Sequence, residues 1–128
     1  MKALYPVVEL VGRVLLSVIF ITSGWGKIGA IAGTQGYMEM MGVPGILIYP
    51  TILVEVVGGL FVLVGYQTRI AAVLLAGFSL VSGFLFHFDP SNQMEMISFM
   101  KNVTIAGGFL VLVAHGAGKI SVDAKVAR

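Results

Sequence analysis

The sequence has 128 residues, of which 58% are apolar and 11% are charged, and its mean hydropathy is +1.00. A soluble domain devotes about a quarter of its residues to charge, so this composition excludes a soluble globular protein and predicts a surface that faces lipid. The absence of cysteine excludes disulfides, thiolate metal sites and iron–sulfur clusters, and a net charge of +2 without a basic cluster gives nucleic acid no binding surface.

Four apolar stretches are long enough to cross a bilayer, since a transmembrane helix needs about 20 residues. They lie at about 7–27, 46–65, 70–88 and 97–115. The sequence therefore predicts an all-α fold in which residues 1–128 form one four-span transmembrane domain, an integral membrane four-helix bundle.

The connection between the first two spans is longer than the others. It is rich in methionine around Glu39 and ends at Gly42-Val43-Pro44-Gly45. This mixture predicts a short interfacial helix or a re-entrant turn.

The distribution of basic residues predicts the orientation of the bundle. One side would carry Lys2, Arg69, Lys119, Lys125 and Arg128. The opposite side would carry a single basic residue, Lys27, together with Glu39, Asp89 and Glu95. Because cytoplasmic loops are enriched in lysine and arginine, we expect a multi-pass membrane protein with both termini in the cytoplasm.

Each predicted span carries polar or small residues at helical spacing, which places them on one face. In chain order the four faces are Glu9, Arg13, Ser17, Phe20, Gly24 and Lys27; Thr51, Glu55, Gly58 or Gly59, and Val62; Ala72, Ala76, Ser79, Gly83 and His87; and Lys101, Thr104 and Gly108, with Asn102 beside them. Since ionisable groups inside a bilayer usually face the bundle interior, these faces predict a closed bundle with a polar centre.

Glu55 is the ionisable residue nearest the middle of a predicted span. Arg13 and Lys101 each lie about 6 Å from the depth of Glu55, on opposite sides, at 1.5 Å of rise per residue. We expect Glu55 to pair with one of them, either to fix the helix register or to serve a function. Glu9 precedes Arg13 by one helical turn, and this spacing predicts a structural ion pair.

The candidate ligand-binding centre extends beyond these charged residues. It comprises Glu55, Arg13, Lys101, Asn102, His87 and Trp25. His87 and His115 would lie at opposite faces of the membrane and could not share a haem or a metal ion, so no metal site is expected. No residue can be assigned as catalytic from the sequence.

Several short motifs occur in order along the whole chain. They are Arg13 followed by 20–27 (FITSGWGK), 41–45 (MGVPG), 55–59 (EVVGG), 65–69 (GYQTR), 86–87 (FH), 99–102 (FMKN) and 107–109 (GGF). On these motifs the chain resembles the DoxX-like family of small bacterial inner-membrane proteins. The resemblance implies a four-helix fold and, for some members, a membrane subunit of a quinone-linked oxidoreductase or a partner of redox-protective enzymes.

Three functions are compatible with this sequence. The first is a quinone-binding or oxidoreductase-associated subunit around Glu55, which would depend on a redox partner protein because the chain has no ligand set for haem, flavin or iron–sulfur clusters. The second is a non-catalytic membrane anchor or assembly partner, and the third a small transporter or channel. The small-residue faces are also compatible with a homo-oligomer in the lipid bilayer.

Overall fold

The computed structural model describes residues 2–127, and within that range it contains helices and turns but no strand. Arg128, counted above among the basic residues, lies outside this range. The helices are α1 (Tyr5–Ile28), α2 (Ile31–Met40), α3 (Gly45–Val64), α4 (Thr68–Phe86), α5 (Gln93–His115) and α6 (Val122–Val126). We call the end that carries Lys2 and α6 the terminal end, and the end that carries α2 the loop end.

Helices α1, α3, α4 and α5 are each long and apolar enough to cross a membrane. The prediction of an all-α bundle with four membrane spans is therefore confirmed. The fourth helix begins at Gln93 rather than near Ile97. The side chain of Asn92 accepts a hydrogen bond from the backbone N–H of Glu95 (3.2 Å), and this cap supports an earlier start.

The core of the bundle is a cluster of buried aromatic and aliphatic side chains where α1, α3, α4 and α5 meet. The Phe20 ring packs edge-on against Phe109 (5.5 Å between ring centroids) and Phe78 (6.3 Å). Val62 and Leu75 are fully buried beside them. These residues come from all four long helices, so the core fixes their relative positions.

Small residues bring the helices into close contact. A Cβ atom on Gly59 of α3 would lie 2.7 Å from the Ile21 Cγ1 atom of α1, so the backbones meet closely there. The prediction that Ser17, Gly58, Gly83 and Gly108 face protein is confirmed. Ser17 is fully buried, and a Cβ atom on each of the three glycines would lie 3.1–3.3 Å from a neighbouring helix's side chain.

The interior face of α5 differs from the prediction. Phe99, Ala106 and Phe109 are buried, whereas Lys101 and Thr104 are exposed on the lipid side. The expectation that Lys101 faces the bundle interior was wrong. A lysine can lie on the lipid side of a helix because its apolar stem contacts lipid while its ammonium extends toward the headgroups.

The middle of α3 is not a regular α-helix. Residues Val54–Gly58 form a π-helical turn between two α-helical segments, Ile48–Leu53 and Gly59–Val64. Glu55 lies within this turn. A π-helical turn inserts one residue into the helix and changes the direction of the side chains around it, and such turns frequently occur at functional sites.

At the terminal end, the segment after α5 packs over Arg13. Arg13 is 1% exposed, and its guanidinium donates hydrogen bonds to the carbonyl oxygens of Ala117 (3.1 Å) and Ile120 (2.7 Å). The predicted ion pair between Glu9 and Arg13 is not found among residues 2–127, where no oxygen of Glu9 lies within 4.0 Å of the guanidinium nitrogens. Backbone carbonyls take the place of the carboxylate, and they come from a segment that the sequence patterns did not connect to Arg13.

Asp123 of α6 completes the terminal end by capping α4. Its carboxylate accepts hydrogen bonds from the backbone N–H groups of Gln67 (2.7 Å) and Thr68 (2.9 Å). Burial alone would raise the pKa of Asp123, but the hydrogen bonds from Thr68 and Gln67 and the charge of Arg13 hold that pKa below its ordinary value. The C-terminal segment is thus held to the bundle by the hydrogen bonds of Arg13 and by those of Asp123.

Candidate functional site

A cavity of about 280 Å³ lies inside the bundle toward the loop end. All four long helices contribute to its wall, and α2 covers part of it. Its polar lining residues are Ser23, Lys27, Thr34, Tyr37, Thr51, Glu55, Ser79, Ser82, His87 and Asn102. The remaining lining is apolar and includes Phe20, Phe78 and Phe86, so the cavity combines an apolar interior with several separate polar groups.

A buried ion pair forms one wall of the cavity. The Lys27 ammonium lies 2.7 Å from Glu55 Oε1, and the Glu55 side chain is only 5% exposed. Within residues 2–127, no protein group donates a hydrogen bond to the second carboxylate oxygen, Oε2. The ammonium has three donors and Glu55 a second acceptor oxygen, so this wall can both donate to and accept from a ligand.

Helix geometry explains how Lys27 reaches Glu55 from the last turn of α1. In an α-helix the Cα–Cβ bonds tilt toward the N-terminus, so the Lys27 side chain extends back into the bundle. Gly24 lies one turn earlier on the same face, and a Cβ atom there would lie 3.1 Å from the Glu55 Cβ atom. The absence of a side chain at Gly24 allows α3 to approach α1 at the level of the pair.

A second part of the cavity lining is formed by amide and hydroxyl groups of α4 and α5. The Asn102 amide donates hydrogen bonds to the Ser79 carbonyl oxygen (3.0 Å) and to Ser82 Oγ (3.2 Å). Ser79 Oγ in turn donates to the Leu75 carbonyl oxygen (2.8 Å). These bonds hold the Asn102 amide with both donor sites engaged, so its carbonyl oxygen is the group that remains to accept from a ligand.

The loop-end boundary of the cavity carries a second polar pair and an aromatic pair. His87 Nδ1 lies 3.0 Å from Glu95 Oε2, which joins the end of α4 to the first turn of α5. The Tyr37 ring of α2 stacks on Phe86 with 5.6 Å between the centroids. Both side chains of the polar pair are about one-third exposed, so this boundary is only partly buried.

The structure brings together half of the residues predicted for the ligand site. Glu55, Asn102 and His87 line the cavity. Arg13 is bound to backbone carbonyls at the terminal end, and Lys101 and the 71%-exposed Trp25 lie on the outer surface.

The predicted partner of Glu55 was therefore wrong, and Lys27 takes that position. Helical spacing indicated this position, because Lys27 follows Gly24 by three residues on the face that bears Ser17 and Phe20. Lys27 was not predicted as the partner of Glu55 because it lies near the end of the span. The serines of α4 were on the predicted interior face, but their bonds to Asn102 depend on the packing of α4 against α5.

The chemistry of this arrangement is proton donation and acceptance in an apolar enclosure. The polar groups could orient a small ring that carries oxygen substituents, while the three phenylalanine rings contact its faces or edges. No three histidine or acidic side chains in the described part of the chain are close enough to hold a metal ion.

Comparison with known proteins gives the family. The sequence model of the DoxX family matches residues 8–88, which is more than half of the chain and includes Lys27, Glu55 and His87. The chain belongs to the DoxX family.

Two relatives of this DoxX protein come from Escherichia coli strain K12. Inner membrane protein YqjF is 50% identical over 123 residues, which cover 96% of this chain and 95% of YqjF. Inner membrane protein YphA is 36% identical over 125 residues, which cover 92% of this chain and 89% of YphA. Both names agree with the four apolar helices, and together they support a DoxX-like protein of the bacterial inner membrane.

A more distant relative carries a functional name. A Bacillus subtilis strain 168 protein named "Putative oxidoreductase CatD" is 32% identical over 76 residues, which cover 59% of this chain and 57% of CatD. No solved structure matches this chain.

Proposed function

We propose that this DoxX protein is a membrane subunit that binds a quinone head group in the loop-end cavity and acts with an oxidoreductase partner. The single observation that carries the proposal is the buried Lys27–Glu55 pair, with an unbonded carboxylate oxygen on a cavity wall. A quinone carbonyl accepts a hydrogen bond and a quinol hydroxyl donates one. The Lys27 ammonium can donate to the quinone carbonyl, and the Glu55 carboxylate can accept from the quinol hydroxyl.

The surroundings of the pair support the proposal. Phe20, Phe78 and Phe86 line the same cavity and can contact the ring, and the Asn102 amide of α5 also lines it. The cavity volume of about 280 Å³ suits one small ring, since it lies at the lower limit of ordinary ligand pockets. The name of the CatD relative supports the link to redox chemistry.

The chain's own residues would bind and orient the ring and exchange protons with it. A quinol gives up two electrons and two protons when it becomes a quinone, and the reverse reaction takes up the same numbers. In this proposal the electrons pass to or from the partner oxidoreductase.

The experiment measures the binding of a tail-less dimethoxy-methylbenzoquinone to the purified protein by thermal stabilisation and calorimetry. We expect wild-type protein to bind it and Glu55→Gln to bind about 10–100-fold more weakly, because a hydrogen bond to a charged group contributes about 1.5–3 kcal/mol. Mass spectrometry of lipids and quinones retained through gentle purification gives an independent readout.

The matched control is Glu39→Gln, which removes an exposed carboxylate on α2 that does not line the cavity. Its affinity should equal that of wild type. Wild-type protein that neither retains a quinone nor is stabilised by the probe would refute the proposal. A fixed protein complex that persists unchanged in Glu55→Gln would favour the anchor or assembly role instead.

A further inference from the structure

A second recess lies on the lipid side of the bundle, between α3 and α4. It has a volume of about 240 Å³ and is lined on its outer side by Leu47, Pro50 and Val54 of α3 and by Val81 and Leu85 of α4. Val81 is 58% exposed, and Leu47 and Leu85 are 44% and 46% exposed, so the recess opens directly to the surface that faces lipid. We call it the α3–α4 groove.

The α3–α4 groove adjoins the polar cavity. Five residues line both spaces, namely Met38, Thr51, Phe78, Ser82 and Phe86. The π-helical turn of α3 also divides the two spaces between neighbouring residues, because Val54 lines the groove and Glu55 lines the cavity. A single elongated molecule could therefore place a polar head at Glu55 and an apolar tail between α3 and α4.

We propose that the α3–α4 groove is the passage through which the isoprenoid or alkyl tail of a membrane quinone leaves the head-group cavity, and through which the quinone enters from the bilayer. This inference rests on the proposed function, because it assigns the tail of the ligand whose head that proposal places beside Glu55. The ligand class is thereby a tailed, lipid-soluble quinone rather than a water-soluble one.

The other possible openings fit a tail less well. The larger recess along α5, beside Lys101 and Thr104, shares one lining residue, Ile105, with the cavity. The loop-end boundary carries the polar His87–Glu95 pair, and burying its polar groups against an alkyl chain would be unfavourable. The α3–α4 groove combines an apolar wall, exposure to lipid and a shared boundary with the cavity.

The role of the groove is to give the tail space rather than to hold it tightly. Lipid chains are as apolar as the groove, so moving a tail from the bilayer into it releases little hydrophobic free energy. A bulky side chain in the groove should consequently obstruct a tailed quinone and leave a tail-less quinone unaffected. Tail binding can therefore be measured separately from head-group binding.

The test compares Val81→Trp with Val73→Trp in purified protein in lipid nanodiscs. Both valines are exposed on α4, at 58% and 51%, but Val73 does not line the groove. The probes are a tail-less dimethoxy-methylbenzoquinone and the same ring with a decyl tail. We expect Val81→Trp to lower the affinity for the decyl probe about tenfold and to change the affinity for the tail-less probe by less than about twofold. Val73→Trp should change neither affinity.

Photolabelling of wild-type protein gives a second measurement that does not depend on the folding of a variant. A decyl quinone with a diazirine at the end of its tail should label Leu47, Val81 or Leu85 in excess of Val73. Equal labelling along α4, labelling at Ile105 instead, or unchanged decyl affinity in Val81→Trp would overturn the groove assignment. If wild-type protein binds neither probe, the proposed function itself fails.

Discussion

Two lysines of this chain occupy very different places although both lie in membrane-spanning helices. Lys27 is partly buried against Glu55, whereas Lys101 is exposed on the outer surface of α5. The difference follows from the neighbours that each side chain can reach. Lys27 extends toward the N-terminus of its helix and contacts the Glu55 carboxylate. Lys101 instead lies beside the recess along α5, whose lining contains no acidic residue.

Replacement of each lysine by methionine tests this difference in stability. We expect Lys27→Met to lower the free energy of unfolding by about 3–5 kcal/mol, because it leaves Glu55 buried without its partner. Lys101→Met should change it by less than about 0.5 kcal/mol, since it removes no charge partner. Reversible denaturation in mixed micelles measures both. Equal losses in the two variants would contradict the structural role of the Lys27–Glu55 pair.

At the scale of helices, glycines fall into two groups that composition alone does not separate. Gly59 lies against Ile21 and Ser17 of α1, whereas a Cβ atom on Gly77 or Gly107 would meet nothing within 4 Å. The first kind allows two helices to approach, and the second faces lipid. The free energy of an added methyl group should have opposite signs at the two kinds of position.

Gly59→Ala and Gly77→Ala are the matched pair for this prediction. We expect Gly59→Ala to destabilise the bundle by about 1–3 kcal/mol through overpacking against α1. Gly77→Ala should stabilise it by up to about 1 kcal/mol because alanine favours the helix more than glycine does. Thermal unfolding in the same detergent measures both. Destabilisation by Gly77→Ala would mean that the outer face of α4 contacts protein.

Helix α4 depends on a distant residue for its N-terminal cap, and this dependence predicts a response to pH. The pKa of Asp123 is held below its ordinary value of 3.8, so the ionised cap contributes its full stability above that pH and loses it as the pH falls through the lower folded-state value. We expect Asp123→Asn to lower the melting temperature at neutral pH. Below about pH 4 the melting temperature of this variant should decrease less with falling pH than that of wild type.

The control for this prediction is Asp89→Asn at the loop end, whose carboxylate accepts hydrogen bonds from Ser91 within its own turn. Melting curves between neutral pH and pH 3 compare the three proteins. A pH profile of Asp123→Asn that superimposes on the wild-type profile would show that the cap does not contribute to acid sensitivity.

For the whole molecule, the orientation in the membrane stays a prediction from the distribution of basic residues. Lys2, Arg69, Lys119 and Lys125 lie toward the terminal end, and Lys27 lies toward the loop end. We expect both termini to lie in the cytoplasm and the turn at 89–92 to lie outside.

Single cysteines at two exposed positions test this orientation, and the natural chain contributes no background because it has no cysteine. In intact cells an impermeant maleimide should label Ser91→Cys directly and label Lys125→Cys only after permeabilisation. The reverse pattern would invert the orientation. Lys125 is a better site than Ser121, which is 8% exposed.

The sequence predicted the spans and most interior faces because these depend on composition and on helical period. Ser17, Glu55 and Gly83 were placed correctly on that basis. It failed where an assignment depended on tertiary contacts. The pairing of Lys27 with Glu55 depends on the direction of a side chain and on the space left by Gly24, and the bonds of Arg13 depend on a segment more than 100 residues later.

Arg13 also has a consequence for how this protein is made. Its hydrogen-bond acceptors lie 104 and 107 residues further along the chain, at Ala117 and Ile120. At ribosomal speeds of about 5–20 residues per second, α1 would wait roughly 5–20 seconds with a guanidinium that lacks these acceptors. Prematurely terminated chains would keep that exposed charge.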